Sequence, residues 1–299
     1  MNYLKNIITQ MEDLSGIKDI VGASEEIASM KMRGIRNKVL QSRDLNKDLT
    51  EIYREVSVTY KNQIINLIQE KKLSDKLTPT DVNKLSLKSG NGKFACVYLS
   101  ANSGLFSNIL EQTYREFIVY LEGHKEAIPV IIGEFGKKLF TNNFPDRNFV
   151  FYPLGEGNAT EDSLQKIIRE LSEYTNVIIY YARFKSMAEQ TTTVLDVSSS
   201  NDTTQLHDEI PISHYLFEPS LEKILAFFES EIFAGIIQQT ITESDLARYA
   251  SRITTLDLAR ENINMQLKIA SLEKRFAIHR IMNKKQNEAI TGISLWKIT

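Results

Sequence analysis

The chain has 299 residues, with 36 lysines and arginines against 38 aspartates and glutamates and a formal net charge of -2. Hydrophobic residues at 42% and charged residues at 25% exclude bulk disorder, and near-neutral charge argues against a nucleic-acid binder. No window approaches about 18 uncharged apolar residues, so direct membrane insertion is not expected. The N-terminus leads into mixed charge, so no secretory signal is expected, and the single Cys96 fits a reducing compartment.

Residues 3–57 hold no proline, and Leu4, Ile7, Met11, Leu14, Ile17 and Val21 recur at three- and four-residue steps. The spacing returns as Ile35, Val39, Leu45, Leu49, Ile52 and Val56. It predicts one helix of roughly 80 Å, too long for a compact domain unless it forms a coiled coil. Residues 72–92 read as a polar connector. A buried strand is expected at 94–100, a helix at 105–121, a second strand at 128–132, a short strand at 148–152, an amphipathic helix at 163–174 and a third strong strand at 176–184. Strand alternating with helix predicts a mostly parallel sheet. Residues 186–210 are rich in Thr and Ser and read as containing an exposed turn or loop. After Glu218, Pro219 and Ser220 no proline returns. A heptad then runs through Leu246, Tyr249, Ile253, Leu256, Arg260, Ile263, Leu267, Ala270, Lys274, Ala277 and Ile281, with Arg260 and Lys274 as breaks in an apolar seam.

The expected fold is therefore α/β. A long antiparallel coiled coil of the terminal helices carries an inserted α/β domain, with the N-terminal coil helix at 1–60, the α/β domain at 61–217 and the C-terminal coil helix at 218–299. Leu4, Ile7, Met11, Leu14, Ile253, Leu256, Ile263 and Leu267 are the expected seam.

Catalytic patterns do not assemble. Ser89, Gly90, Asn91, Gly92 and Lys93 look like a phosphate loop, but Leu87 and Phe94 stand where a Walker A loop needs glycine and a hydroxyl. Gly155 and Gly157 mark a turn. His124, His207, His214 and His279 share no metal-ligand spacing, and there is no nucleophile elbow. Cys96 sits in an apolar strand, as packing rather than nucleophile. No active site, metal or cofactor is expected in this chain.

Two charged stretches and one apolar end remain. Lys31, Arg33, Arg36, Lys38 and Arg43 fall within thirteen residues that hold no acidic residue. Lys268, Lys274, Arg275, Arg280, Lys284 and Lys285 cluster near the C-terminus. Such runs are either solvated helix faces or surfaces for acidic partner groups. Ile290, Ile293, Leu295 and Trp296 form an apolar tip that another protein would receive.

The chain resembles the gamma subunit of F-type ATP synthase, the central rotor stalk. Leu-Lys-Asn-Ile at 4–7, Ile-Val-Gly-Ala at 20–23 and Ala-Ser-Met-Lys-Met-Arg at 28–33 are similar to the family's opening helix. Tyr-Tyr-Ala-Arg-Phe at 180–184, with Ser186, Met187 and Gln190, is similar to its strand and following segment. Tyr-Leu-Phe-Glu-Pro at 215–219, Ala-Ser-Arg-Ile at 250–253 and Asn-Glu-Ala-Ile-Thr-Gly at 287–292 complete the match in order. Two motifs depart: the family's glycine-rich loop after the first strand is here Asn-Ser-Gly-Leu-Phe-Ser-Asn at 102–108, and its Arg-Gln pair aligns with Ile278 and His279.

The resemblance implies a Rossmann-like body and a shaft inside a ring of alpha and beta subunits, with an epsilon-like subunit and a membrane ion ring, or another driven machine, as further partners. It implies ring contacts at Lys31, Arg33, Arg252, His279 and Arg280, and membrane-ring contacts at Tyr215, Phe217 and Glu218. The implied location is peripheral, on the cytoplasmic face of the cell membrane. The alternatives are the shaft of a specialised F1-like ATPase, such as a mollicute gliding motor, and a coiled-coil scaffold with no rotary role.

Overall fold

A computed structural model describes residues 2–69, 91–102, 106, 108–154, 161–197 and 221–296, without side chains at 2, 58–69, 161, 221–222 and 292–296. These residues fall into two compact units, one of Met1–Met30 with Arg252–Thr299 and one of Lys31–Ser251. Two helices contribute to both: α1 (Asn2–Gln69) and α5 (Leu221–Trp296). Few glycines and no proline interrupt either one, which is why such lengths persist.

The larger unit is built on a five-stranded sheet. Its strands are β1 (Phe94–Leu99), β2 (Ile128–Ile132), β3 (Val150–Tyr152), β4 (Asn176–Phe184) and β5 (Gln190–Asp196), in the order β3-β2-β1-β4-β5. β1 pairs in parallel with β2 and β4, and β2 with β3. β1, β2 and the middle of β4 are buried on both faces, so they read as near-continuous apolar runs.

The Thr- and Ser-rich stretch from 186 holds a strand that the sequence did not signal: β5 is an antiparallel edge strand, with Tyr180 opposite Val194. Thr191, Thr192 and Thr193 are β-branched and suit a half-exposed edge, but they supply no apolar signal. Residues 198–220, the remainder of that Thr- and Ser-rich stretch and the segment after it, lie outside the described residues.

α2 (Ile109–Gly123) and α3 (Glu134–Asn143) cover one face of the sheet, where Phe117, Leu121 and Phe140 pack on Cys96, Tyr98 and Ile131. α2 starts four residues later than the expected 105. α3 was not legible, because Gly136 sits inside it. That glycine is required by packing: a Cβ there would lie 2.8 Å from the Ser100 Cβ and 2.8 Å from the Tyr98 ring. Gly133 precedes α3 at φ +105°, and its Cβ would strike the Ala101 backbone at 2.8 Å.

α4 (Glu161–Ser172) covers the opposite face with α5. Ile167 and Leu171 from α4 and Phe233, Ile237 and Ile241 from α5 enclose Val97, Leu99, Val177 and Ile179. α5 holds an apolar stretch that could cross a membrane by length and composition. Here Ile232, Phe233, Ile237 and Ile241 from that helix are core residues.

Candidate functional site on the two long helices

The smaller unit is where the coil can be examined alone. On α1 the covered positions are Leu4, Ile7, Met11, Leu14, Lys18, Val21, Glu25 and Ala28, with Ile7 and Ala28 fully buried and the rest half-buried. The steps alternate three and four without a slip, which is the heptad of a two-helix seam. On α5 they are Ile253, Leu256, Arg260, Ile263, Leu267, Ala270, Lys274, Ala277 and Ile281, with Leu256, Ile263, Ala270 and Ala277 buried.

The apolar series and the covered stripe part at one residue of α1. Ile17 is 49% exposed, and the seam passes through Lys18. Following apolar residues alone moves off the stripe, because the seam tolerates charged residues whose stems cover apolar surface. Arg260, a break in the apolar pattern, forms an ion pair with Glu25 across the seam at 2.9 Å. Counting the heptad straight through from Leu14 would have found Glu25.

The larger unit shows its own pairs between the same helices, and they define an antiparallel arrangement. Lys31 lies 5.8 Å from the Tyr249 ring centroid, Arg43 pairs with Glu243 at 2.5 Å, and Tyr53 donates to Glu229 at 2.9 Å. Asn46, 9% exposed, donates to the Gly235 carbonyl at 3.0 Å and to Gln239 Oε1 at 2.7 Å. Gly235 leaves room for this contact, since a Cβ there would lie 2.1 Å from Asn46 Oδ1. A single buried amide in a seam fixes register at some cost in stability. Met32, Ile35, Val39 and Val56 are buried on α1 in this unit, whereas Leu45 and Ile52, expected on the same stripe, are 58% and 46% exposed. Asn46 and Tyr53, one residue further on, take their place.

The outer face of α5 in the smaller unit is unusual. Leu258, Met265, Ile269, Leu272 and Phe276 are each exposed and recur at steps of seven, four and three. α1 exposes Ile20, Ile27 and Met30 in the same unit. A run of exposed apolar residues of this kind is uncommon on the surface of a monomeric soluble protein.

The residues proposed from the resemblance sit as follows. Arg33, His279 and Arg280 are exposed, while Lys31, Arg252 and Ile278 are half-buried. Every α5 residue from 282 to 291 is exposed, Ile290 at 65%. Of Ile293, Leu295 and Trp296 only the helical backbone is described. Tyr215, Phe217 and Glu218 lie outside the described residues, as do Gly90 in the phosphate-loop lookalike and Gly155 and Gly157.

The α/β body places Cys96 in its core with no exposure, and burial pushes its thiol up to about 12. Among the described residues no cluster of His, Cys, Asp or Glu could hold a metal ion.

A family model described as ATP synthase matches residues 3–291. The ATP synthase gamma chain of Ruthia magnifica subsp. Calyptogena magnifica is 23% identical over 300 residues, covering 96% of this chain and 94% of its own length. Among solved structures, the fold is similar to one from the Tetrahymena thermophila mitochondrial ATP synthase, central stalk and c-ring, with a TM-score of 0.53 and 17% identity over 80% of this chain and 99% of that one. It is also similar to one from the Euglena gracilis mitochondrial ATP synthase with OSCP, F1 and c-ring, at TM-score 0.51 and 14% identity, covering 89% of this chain and 94% of that one.

Proposed function

Because this chain belongs to the ATP synthase family of gamma chains, we propose that it is the central shaft of an F-type ATPase or ATP synthase, turning inside a ring of alpha and beta subunits. The observation that carries this reading is the burial of Ile7 and Ala28 on α1 and of Leu256, Ile263, Ala270 and Ala277 on α5, while α5 exposes Leu258, Met265, Ile269, Leu272 and Phe276. A coil with a closed seam and an apolar outer stripe is stiff, and its faces differ. Each ring site would meet a different face, so its nucleotide affinity depends on shaft orientation. The coupling is then a difference in binding free energy among orientations. Nucleotide, Mg²⁺ and the bond-breaking step belong to the ring in this reading, and the chain itself needs no cofactor.

The finer assignments follow the chain. Residues 1–60 and 218–299 act as the shaft, and 61–217 as the body. Lys31, Arg33, Arg252, His279 and Arg280 meet the ring. Tyr215, Phe217 and Glu218 rest on the membrane ion ring, an epsilon-like subunit joins the body, and the assembly is peripheral on the cytoplasmic face of the cell membrane. Ile290, Ile293, Leu295 and Trp296 turn in an apolar collar, where contact is non-directional and little hydrogen bonding must break.

The test is purification from native membranes with identification of the co-purifying chains. Nucleotide-binding subunits together with an ion ring are expected. Nucleotide-binding subunits with other machinery would make it the shaft of a specialised ATPase, and no co-purifying ATPase would leave a plain scaffold.

A further inference from the structure

Between residues 243 and 251, α5 is tied by charge and hydrogen bonds to several elements of the larger unit. Glu243 has a side chain only 4% exposed, and its Oε1 receives Arg43 from α1 at 2.5 Å and Arg183 from β4 at 3.4 Å. Further along α5, Arg248 is 4% exposed, donates to the Ser100 carbonyl just beyond β1, and pairs with Asp245. Burial pushes its guanidinium down to about 10, which leaves it cationic at neutral pH. Ser251 then donates to the Phe106 carbonyl at 2.8 Å.

Buried charges are costly, and apolar side chains of similar size would often serve stability as well or better. What charged hydrogen bonds add is direction. Phe233, Ile237 and Ile241 also hold α5 to the sheet, but apolar contact is non-directional and resists sliding weakly. A helix that is twisted against its body loads this junction in shear.

We propose that Glu243, bridging Arg43 and Arg183, and Arg248, bound to Ser100, form a clamp that carries torque between the two long helices and the sheet. These are positioning residues, and the proposal rests on the rotor reading above.

The experiment uses the assembled complex, with the ring fixed and a bead attached through Val119→Cys on α2, a residue 72% exposed. Angular variance of the bead is recorded in the pauses of ATP-driven rotation. Glu243→Gln removes the charge at nearly constant shape. Arg183→Gln removes one arm at a surface-accessible position, should Glu243→Gln fail to fold. Ile167→Val is the control, a core change touching none of the clamp.

Either clamp variant is expected to raise the angular variance above that of the parent complex, with Ile167→Val leaving it unchanged. Equal broadening by all three, or by none, overturns the clamp while rotation of the parent complex leaves the rotor reading standing. A parent complex that hydrolyses ATP without turning the bead overturns the rotor reading, and the clamp with it.

Discussion

Tyr53 and Tyr181 show how single residues of the larger unit respond to their surroundings. Burial, with the Glu229 carboxylate as second cause, pushes the Tyr53 phenol from 10.0 up to about 12. Burial, with Glu243 second, does the same for Tyr181. Folded, both phenols keep protons that the unfolded chain releases above pH 10. The unfolded state then binds fewer protons, so the stability they contribute is fully present below pH 10 and is lost as pH rises toward 12. The urea midpoint is expected to fall across that window, and Tyr181→Phe to flatten the fall. A slope unchanged in the variant would remove Tyr181 from the account. Tyr53 does not stand out in the sequence, because a single polar atom on an aromatic ring gives no local sign of a partner. Asn46 and Glu243 were missed for the same reason: nothing local announces that a polar side chain will face a partner many residues away, such as Gly235 or Arg183.

The seam is the test of the elements. Ile263 is 9% exposed on α5, and Ile263→Asp would bury a carboxylate without a partner, at a cost of about 3–5 kcal/mol. The melting temperature should drop and assembly weaken, and a variant that melts unchanged would show the seam to be misplaced. The Glu25–Arg260 pair predicts the opposite sign. Replacing both by Leu extends the apolar seam and should raise the melting temperature, because ion pairs in such places serve register more than stability. A lower melting temperature would contradict that role. The α5 heptad was legible from 246 to 281 because its spacing survives two charged residues. β4 was legible because its middle, residues 177–182, is an unbroken run of apolar and aromatic residues that is buried or half-buried throughout. α3 and β5 were not, since one carries a packing glycine and the other threonines on an edge.

For the whole molecule, the body and the coil make separable predictions. Deleting residues 290–299 should weaken assembly and lower ATP-driven torque while the sheet and its helices stay folded, as read by the far-ultraviolet dichroism and melting of the truncated chain. Full affinity and full torque after truncation would reduce the tip to a tail. The antiparallel coil and the α/β body were legible from spacing alone, whereas the shaft role came from motifs spread over the chain. The most direct test of the shaft is rotation itself. With the ring held on a surface and a fluorescent probe on Val119→Cys, MgATP should drive the probe through repeated full turns in one direction. Sustained ATP hydrolysis with a stationary probe would contradict the account.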